Sequence, residues 1–503
     1  MSTSGPPKLV LAVIDGLKPS ELERAVSTGR APVLAEIMVR GTYVDQCIAA
    51  FPSVTPVCAA TIATGTLQDR HHIPAMNWYY RDEDRYVEYG SSFSAARRFG
   101  IAQQLIDTVY NMNHSHLPAD VLTVFESLDD ADVRTAGTTY LMYRGRHDHR
   151  PSKETTMTRL AAQLMRRTVK GPRELFYADL YASRETGCWS RLGMPGLRDQ
   201  HTGCVGAYLL EHDLCDFLLF SLPDNDTASH IGGSQAQVAS IAAADRQLER
   251  LAHAAGGLDR FLDEHAIIVV ADHSHANVEQ TIDFVGAFSE YRVLAPSGRG
   301  AADAEIALCP SQRSAQVYGL LPEARESLIP QLVSAALVAE GVDLAMYRAP
   351  DARAVITSAR GTLRFAPAGG DEPSVSDARG ARWVVEGDHA VLEAVIKGDE
   401  LITPDYPDAL ARVWAALTCP SSGDVLLSAS PGWEFADWGG QHHIGGGSHG
   451  SLHADDSLGA LVYAGVQPPA ARSAGANAQP DWSIADITPM VLGHFGVAPV
   501  TLA

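Results

Sequence analysis

The sequence has few cysteines and no motif that would organise them. Its 503 residues include seven cysteines, with no C-x-x-C pair among them. An odd number of scattered cysteines argues against a disulfide framework and against a cysteine-ligated zinc site. The sequence therefore predicts a fold that depends on its hydrophobic core, and a chain of this length can bury a large one.

Long hydrophobic runs and a surplus of positive charge are also missing. No apolar run approaches the roughly 20 residues of a membrane span, and Val10 to Ile14 is too short for the apolar part of a signal peptide. The net charge is −21, from 60 acidic and 39 basic residues. Such a surface repels nucleic-acid phosphates and anionic lipids. We therefore expect a soluble cytoplasmic protein that binds no nucleic-acid polymer and no membrane. A small anionic substrate remains compatible with this charge if a local cation, such as a metal ion, reverses the field.

Three short apolar runs predict buried parallel strands, because uninterrupted apolar character is typical of strands covered on both faces. The runs are Lys8 to Ile14, Cys215 to Leu222 and Ala266 to Ala271. The acidic and imidazole side chains that follow them are Asp15, Asp226, His230, Asp272 and His273. Since the carboxyl ends of parallel strands meet at the ligand-binding edge of an open α/β sheet, we expect these side chains to lie together.

A candidate nucleophile follows another predicted strand. The segment Phe51-Pro52-Ser53-Val54-Thr55 leads from the strand Thr42 to Ala50 into a helix that begins near Pro56. At such a turn, the backbone N–H groups and the positive helix end favour an anion. Thr55 is therefore a candidate nucleophile or metal-held hydroxyl. A simple helix cap before Pro56 is the alternative, and only the remaining candidate residues favour the chemical role.

The candidate side chains suit Zn²⁺, which accepts oxygen and nitrogen ligands at about 2.0–2.2 Å. His449, in the Gly- and His-rich segment 432–450, completes a set of six Asp and His ligands with one threonine hydroxyl. These are too many for one tetrahedral ion and fit two ions about 3.5–4 Å apart, as in two-metal phosphoryl transfer. Three carboxylates and one alkoxide also balance the charge of two Zn²⁺. Mn²⁺ or another divalent ion is an alternative.

Two positions in this set have competitors. Asp224 competes with Asp226, but the four-residue spacing to His230 places Asp226 on the same face of a helical turn. His453 and the pair His442-His443 compete with His449, whose flanking glycines allow a close approach of the backbone.

The ordered motifs resemble those of the type I phosphodiesterase/nucleotide pyrophosphatase family of the alkaline phosphatase superfamily. They are Asp15, FPSVT with Thr55, Asp226-x-x-x-His230, Asp272-His273 and Gly-Ser-His449-Gly-Ser. The resemblance implies an α/β fold of the alkaline phosphatase type, with a central, mostly parallel sheet flanked by helices. Two departures are Pro56-Val57-Cys58, where the family often has Asn, and Ser229 in place of Gly.

The same resemblance implies roles for individual residues. One zinc ion is expected at Asp226, His230 and His449. The other is expected at Asp15, Thr55, Asp272 and His273. Asn77 is expected to donate a hydrogen bond to a phosphoryl oxygen.

Changes of composition along the chain predict two insertions. Residues 1–290 and 425–503 carry the motifs and form the expected catalytic core, with a cap at about 78–210. In residues 291–424, short strands alternate with turns, which predicts an inserted α+β subdomain.

We therefore expect a two-zinc hydrolase that cleaves a phosphodiester or pyrophosphate bond of a small molecule through a phospho-threonine intermediate. The alternatives are a phosphomonoesterase or phosphonate C–P hydrolase with the same site, a phosphosugar mutase, and a non-catalytic metal-binding protein.

The motif segments 51–58, 224–230, 272–277 and 447–455 contain no Arg or Lys. This favours diesters over monoesters, because a monoester dianion needs a further donor. Arg144 or Arg146 of the cap is the alternative source of that donor.

Overall fold

The computed structural model describes residues 5–151, 167–191, 193–297, 303–370, 372–469 and 481–498. A helix predicted for Thr156 to Arg166 lies outside these residues. The described chain is a mixed α/β structure with a large central sheet, so the predicted fold class is confirmed. In none of the described helices do length and apolar character together suffice for crossing a membrane.

The central sheet has eight strands, and the three predicted apolar strands are neighbours within it. Their order is Thr42–Ile48, Leu458–Ala464, His265–Val270, Lys8–Ile14, Phe217–Leu222, Thr135–Thr138, Glu174–Tyr177 and Tyr181–Ala182. The run from His265–Val270 to Glu174–Tyr177 is parallel, and the outer pairs are antiparallel. Ile14 pairs with Leu222 and Val13 with Val270, so the three strands end at the same level.

Apolar side chains on both faces of the central strands explain their uninterrupted hydrophobic sequence. Val10, Ala12 and Ile14 pack against one helical layer, while Leu9 and Leu11 pack against the other. The helices of the first layer are Pro19–Ser27, Pro32–Arg40, Arg198–Glu211, Gln237–Ala254 and Leu258–Glu264. The helices of the second layer are Thr55–Thr64, Val124–Asp129 and Ile487–His494. Both faces are thus removed from water, which stabilises the sheet by the hydrophobic effect.

Most of the predicted insertion forms a second sheet of ten strands. Their order is Ile306–Ser311, Ser314–Gly319, Val425–Ala429, Val342–Arg348, Ala354–Ser358, Gly361–Pro367, Arg382–Gly387, Val375–Ser376, Glu400–Ile402 and Val395–Lys397. The helices Arg325–Val338 and Ala409–Thr418 pack on its strands. The domain boundaries at residues 290 and 425 stay a prediction.

The remaining elements are short and connect the two sheets and their helices. The short strands are Asn77–Tyr80, Arg85–Glu88, His147–His149, Val169–Gly171, Ala276–Ile282, Gly432–Phe435 and Gly447–Ser448. The α-helices are Gln68–His71, Phe93–Phe99, Ile101–Ile106, Asp224–Gly232, Phe284–Ala287 and Ala454–Ser457. A π-helical segment spans Asp107–His116, and 3₁₀ turns span Ser234–Ala236, His389–Leu392 and Ile484–Asp486.

One disulfide joins Cys188 to Cys204, a pair that the sequence, in which no disulfide framework was recognised, did not indicate. The two residues are 16 positions apart, and the loop after Tyr181–Ala182 folds back onto the helix Arg198–Glu211 to bring them together. The sequence could not reveal this pairing, because it depends on the path of a loop. Disulfides are typical of oxidising compartments. The cytoplasmic location therefore stays a prediction, which fractionation of cells and measurement of the thiol state of Cys188 can test.

Candidate metal centre

The predicted ligands converge on one cavity of about 460 Å³ at the carboxyl edge of the central sheet. Six of the seven predicted ligands line it, namely Asp15, Thr55, Asp226, His230, Asp272 and His449, and so does the competing residue His443. His273 lies immediately beside them, with its Nε2 3.3 Å from the Thr55 Oγ. Because the three central strands end at the same level, the residues that follow them lie close together.

The first cluster has Asp226 at its centre. Its Oδ1 lies 3.2 Å from His230 Nε2, 3.0 Å from His275 Nε2 and 3.4 Å from His449 Nε2. One ligand atom from each of the four residues lies within 4.8 Å of all the others. One cation could therefore contact one carboxylate and several imidazoles, which is a donor set that Zn²⁺ accepts.

The second cluster is adjacent to the first and shares Asp226 with it. Ligand atoms of Asp15, Asp226 and His273 lie within 4.8 Å of one another. His273 Nε2 is 3.4 Å from Asp15 Oδ1 and 3.5 Å from Asp272 Oδ2. With the Thr55 hydroxyl, the structure thus brings together the four residues expected at the second ion.

The three predicted histidine ligands are oriented by backbone carbonyls. Nδ1 of His230 lies 2.8 Å from Gly447 O, and Nδ1 of His449 lies 2.8 Å from Ser53 O. Nδ1 of His273 lies 3.1 Å from the carbonyl of Ser274. A carbonyl only accepts, so each Nδ1 carries the proton and each Nε2 presents its lone pair to the clusters. This is the arrangement in which histidine binds metal ions.

The electrostatics of the clusters also call for a cation. Burial raises the pKa of Asp15 well above its usual range, and the neighbouring Asp272 and Asp226 raise it further. Burial alone would also raise the pKa of Asp226, but in the metal-free protein the charge of His230 and the hydrogen bond from His275 hold it well below its usual range. Asp15 Oδ1 and His449 Nε2 are buried and form no hydrogen bond with the residues that the structure describes. These donors fit divalent metal ions.

The turn that carries Thr55 is fixed by the segment that carries His449. The Ser53 N–H donates to Gly450 O at 3.3 Å, and the Gly450 N–H donates to Ser53 Oγ at 3.0 Å. Gly450 has a φ of +120°, and a Cβ there would lie 2.9 Å from Ser311 O. Only glycine accommodates both the conformation and the close approach.

Thr55 is not a helix cap. It is the first residue of the helix Thr55–Thr64, and the cap position is occupied by Val54, which offers no side-chain hydrogen bond. The Thr55 hydroxyl is half-buried and contacts His273 Nε2 instead. Its position at the positive end of a helix of 10 residues favours a developing negative charge.

The competing residues lie outside the two clusters. Asp224 pairs with Arg198, with a distance of 2.9 Å from its Oδ1 to the guanidinium Nε. His453 instead accepts a hydrogen bond from the Asp455 N–H at the start of a short helix. His443 stacks on His230 with ring centroids 4.1 Å apart and binds Glu434 through Nδ1.

Asn77 is buried in the strand Asn77–Tyr80 and does not line the cavity, whereas its neighbour Met76 does. Its side-chain amide donates to Val87 O at 3.0 Å. The donor expected to bind a phosphoryl oxygen is therefore engaged in the hairpin, and the role of Asn77 stays a prediction.

Sequence reasoning missed two residues, one buried in the first cluster and one that lines the cavity. His275 is fully buried with its Nε2 3.0 Å from Asp226 Oδ1, and the second His of Asp272-His273-Ser274-His275 was the signal that pointed to it. Arg198 lines the cavity, but it lies in no recognisable motif. The suggested cap arginines are engaged elsewhere, Arg144 with Glu126 and Arg146 with Glu126 and Asp130.

Comparisons with known proteins agree with the fold. Two similar structures are the murine ectonucleotide pyrophosphatase/phosphodiesterase 5, as an inactive variant in complex with AMP, and the human protein of the same name. The murine structure has 10% identity and a TM-score of 0.57, and the match covers 99% of this chain and 97% of that one. The human structure has 12% identity and a TM-score of 0.55, with coverage of 99% and 96%. At this identity the likeness shows the fold alone.

Among curated protein sequences, none matches this chain. The sequence model of the type I phosphodiesterase/nucleotide pyrophosphatase family, however, matches residues 9–452, which include every predicted metal ligand. The chain belongs to the type I phosphodiesterase/nucleotide pyrophosphatase family.

Proposed function

We propose that this protein is a two-zinc hydrolase that cleaves phosphodiester or pyrophosphate bonds of nucleotides or related small molecules, with Thr55 as its nucleophile. One observation carries the proposal. The Thr55 hydroxyl lies at a helix N-terminus, 3.3 Å from His273 Nε2, in the cavity that both Asp/His clusters line. The volume of about 460 Å³ lies within the range of small-molecule sites.

The proposed ligand sets are Asp226, His230 and His449 for one ion and Asp15, Thr55, Asp272 and His273 for the other. Bound Zn²⁺ would lower the pKa of a coordinated hydroxyl and neutralise charge on phosphoryl oxygens. Three aspartates near one another also need this positive charge, because they repel one another in a buried site.

In the proposed reaction, Thr55 Oγ attacks phosphorus in line as the hydroxyl releases its proton to solvent, from which the leaving oxygen takes one. The bond from phosphorus to the leaving oxygen breaks, and a phospho-threonine intermediate forms. Water then attacks the same phosphorus, the bond to Thr55 Oγ breaks, and the threonine regains its proton. The helix N-terminus stabilises the negative charge on the transferred group.

Nucleotides are proposed as substrates because the family description names them and because the similar murine structure contains AMP. The test is an assay of the zinc-loaded protein against nitrophenyl phosphodiesters and dinucleoside pyrophosphates. We expect turnover of at least one class. A well-folded, zinc-loaded protein that hydrolyses neither would contradict the proposal and favour a binding role.

We expect His275→Ala to weaken metal binding by about 10- to 100-fold, the usual effect of removing a group that orients a ligand. His275 contacts Asp226, which belongs to both clusters, so its loss frees this carboxylate. A zinc titration against a chromogenic chelator measures the change. His275→Gln should recover part of the affinity, since its amide can also donate to Asp226. His453→Gln is the matched control, and equal affinity in His275→Ala and this control would rule out the role.

A further inference from the structure

Arg198 is the one Arg or Lys among the described residues that line the cavity. It begins the helix Arg198–Glu211, which belongs to the layer behind the central sheet. The acidic side chains that line the cavity are Asp15, Asp226 and Asp272, all assigned above to the metal ions, while Asp224, the partner of Arg198, lies outside it. Arg198 therefore provides a positive charge in the cavity that metal binding does not require.

The guanidinium is held in place by the turn that leads to Asp226. Its Nε donates to Asp224 Oδ1 at 2.9 Å, and its Nη2 donates to Thr227 Oγ1 at 2.5 Å and to Pro223 O at 3.3 Å. Asp224 is itself fixed, because it accepts from the Gly196 N–H at 2.8 Å and the Asp199 N–H at 3.1 Å. The cation is thus rigidly placed beside a predicted metal ligand.

One nitrogen of the guanidinium remains for a ligand. Nη1 of Arg198 forms no hydrogen bond with the part of the chain that the structure describes, and the side chain is 21% exposed. Arginine binds phosphate and carboxylate oxygens through such N–H groups, and hydrogen bonds between charged partners are roughly twice as strong as neutral ones. The position suits an anionic oxygen of a substrate in the cavity.

A simple phosphodiester has only two free oxygens and one negative charge, which the metal ions and the helix N-terminus can satisfy. A phosphomonoester has a third free oxygen, and a pyrophosphate has a second phosphate group. Both kinds of substrate therefore carry an anionic oxygen that the metal centre does not need to bind. Arg198 is the arginine in the cavity that is available to bind this oxygen.

We propose that Arg198 is a specificity-determining residue that selects substrates carrying an anionic phosphate oxygen beyond the two free oxygens of a phosphodiester. This proposal rests on the proposed function. It differs from the expectation of a preference for simple diesters, which depended on the absence of Arg and Lys from the motifs and stays a prediction. The recognised oxygen belongs either to the transferred phosphoryl group or to a phosphate in the leaving group.

The experiment compares wild type, Arg198→Gln and Arg198→Lys, all loaded with zinc, on three substrates. These are p-nitrophenyl phosphate, p-nitrophenyl methyl phosphate and a dinucleoside pyrophosphate. We expect Arg198→Gln to lower kcat/KM about 10- to 100-fold for the monoester, the pyrophosphate or both, and by less than about threefold for the methyl diester. If kcat/KM falls only for the monoester, the oxygen that Arg198 binds belongs to the transferred phosphoryl group. If kcat/KM falls only for the pyrophosphate, that oxygen belongs to the leaving group. Arg198→Lys should recover part of the loss.

Two controls separate recognition from structural damage. The double variant Arg198→Gln/Asp224→Asn removes both partners of the ion pair, so no buried carboxylate is left unpaired. Arg146→Gln removes an exposed arginine that pairs with Glu126 and Asp130 outside the cavity, and its substrate ratios should match those of wild type. Zinc content is measured for every variant.

An equal loss on all three substrates, or no loss on any, would show that Arg198 only supports the fold and would overturn the proposal. If the wild-type protein hydrolysed only the methyl diester, this proposal would be overturned, while the proposed function would stand. Absence of turnover on all three substrates would overturn the proposed function and this proposal together.

Discussion

Thr55→Ala is expected to lower kcat by at least about a thousandfold, the scale of loss seen when an enzyme's nucleophile is removed. The variant should keep its fold, because Thr55 is half-buried and alanine is a strong helix former in the first turn of Thr55–Thr64. It should also keep most of its zinc, since Asp15, Asp272 and His273 remain as ligands. Steady-state kinetics, circular dichroism and elemental analysis of the same preparation measure the three quantities.

Thr55→Ser is the matched variant, because it keeps a hydroxyl and loses only a methyl group. We expect it to retain measurable activity. Wild-type turnover by Thr55→Ala would mean that water attacks phosphorus directly, and the role of Thr55 as nucleophile would then be wrong.

Removal of the metal ions is expected to abolish activity, with recovery when Zn²⁺ is returned. The carboxylates of Asp15, Asp226 and Asp272 lie in one cavity, and Arg198 is the only arginine or lysine among the described residues that line it. Without divalent ions these carboxylates would repel an anionic substrate. Dialysis against a chelator, followed by titration with Zn²⁺ or Mn²⁺, measures loss and recovery. An active protein shown to be metal-free would contradict the assignment.

As the pH is lowered, the metal ions should dissociate at a higher pH than they would from a site whose carboxylates have ordinary pKa values. Burial and the neighbouring carboxylates raise the pKa of Asp15 in the metal-free protein. Protons therefore compete with the metal for Asp15 from a higher pH, and affinity falls as the pH is lowered through this raised pKa. Zinc affinity measured against pH tests the direction. Asp15→Asn should bind more weakly at neutral pH and lose this part of the pH dependence.

The sequence was informative where local patterns determine structure. Uninterrupted apolar runs identified three neighbouring strands, because a strand buried on both faces carries mostly apolar side chains. Their parallel pairing, with Ile14 opposite Leu222, then places Asp15 near the acidic residues that follow the next strand. The Gly-rich surroundings of His449 pointed to a close backbone approach, which Gly450 makes with Ser311.

Other features depend on contacts between distant segments, and no local pattern predicts these. Arg198 reaches the cavity because a helix of the outer layer begins beside the turn at Asp224. Cys188 meets Cys204 because of the path of a loop. Asn77 was placed by family resemblance, but hairpin pairing with Glu88 turns its amide toward Val87.

The stereochemical course of hydrolysis tests the central claim most directly, which is that Thr55 forms a covalent intermediate in the metal centre. The measurement uses a phosphorothioate diester of one configuration at phosphorus, hydrolysed in isotopically labelled water by the zinc-loaded protein. Attack by Thr55 followed by attack of water gives two inversions, so we predict net retention of configuration. Net inversion would mean a single direct attack by water and would contradict the account.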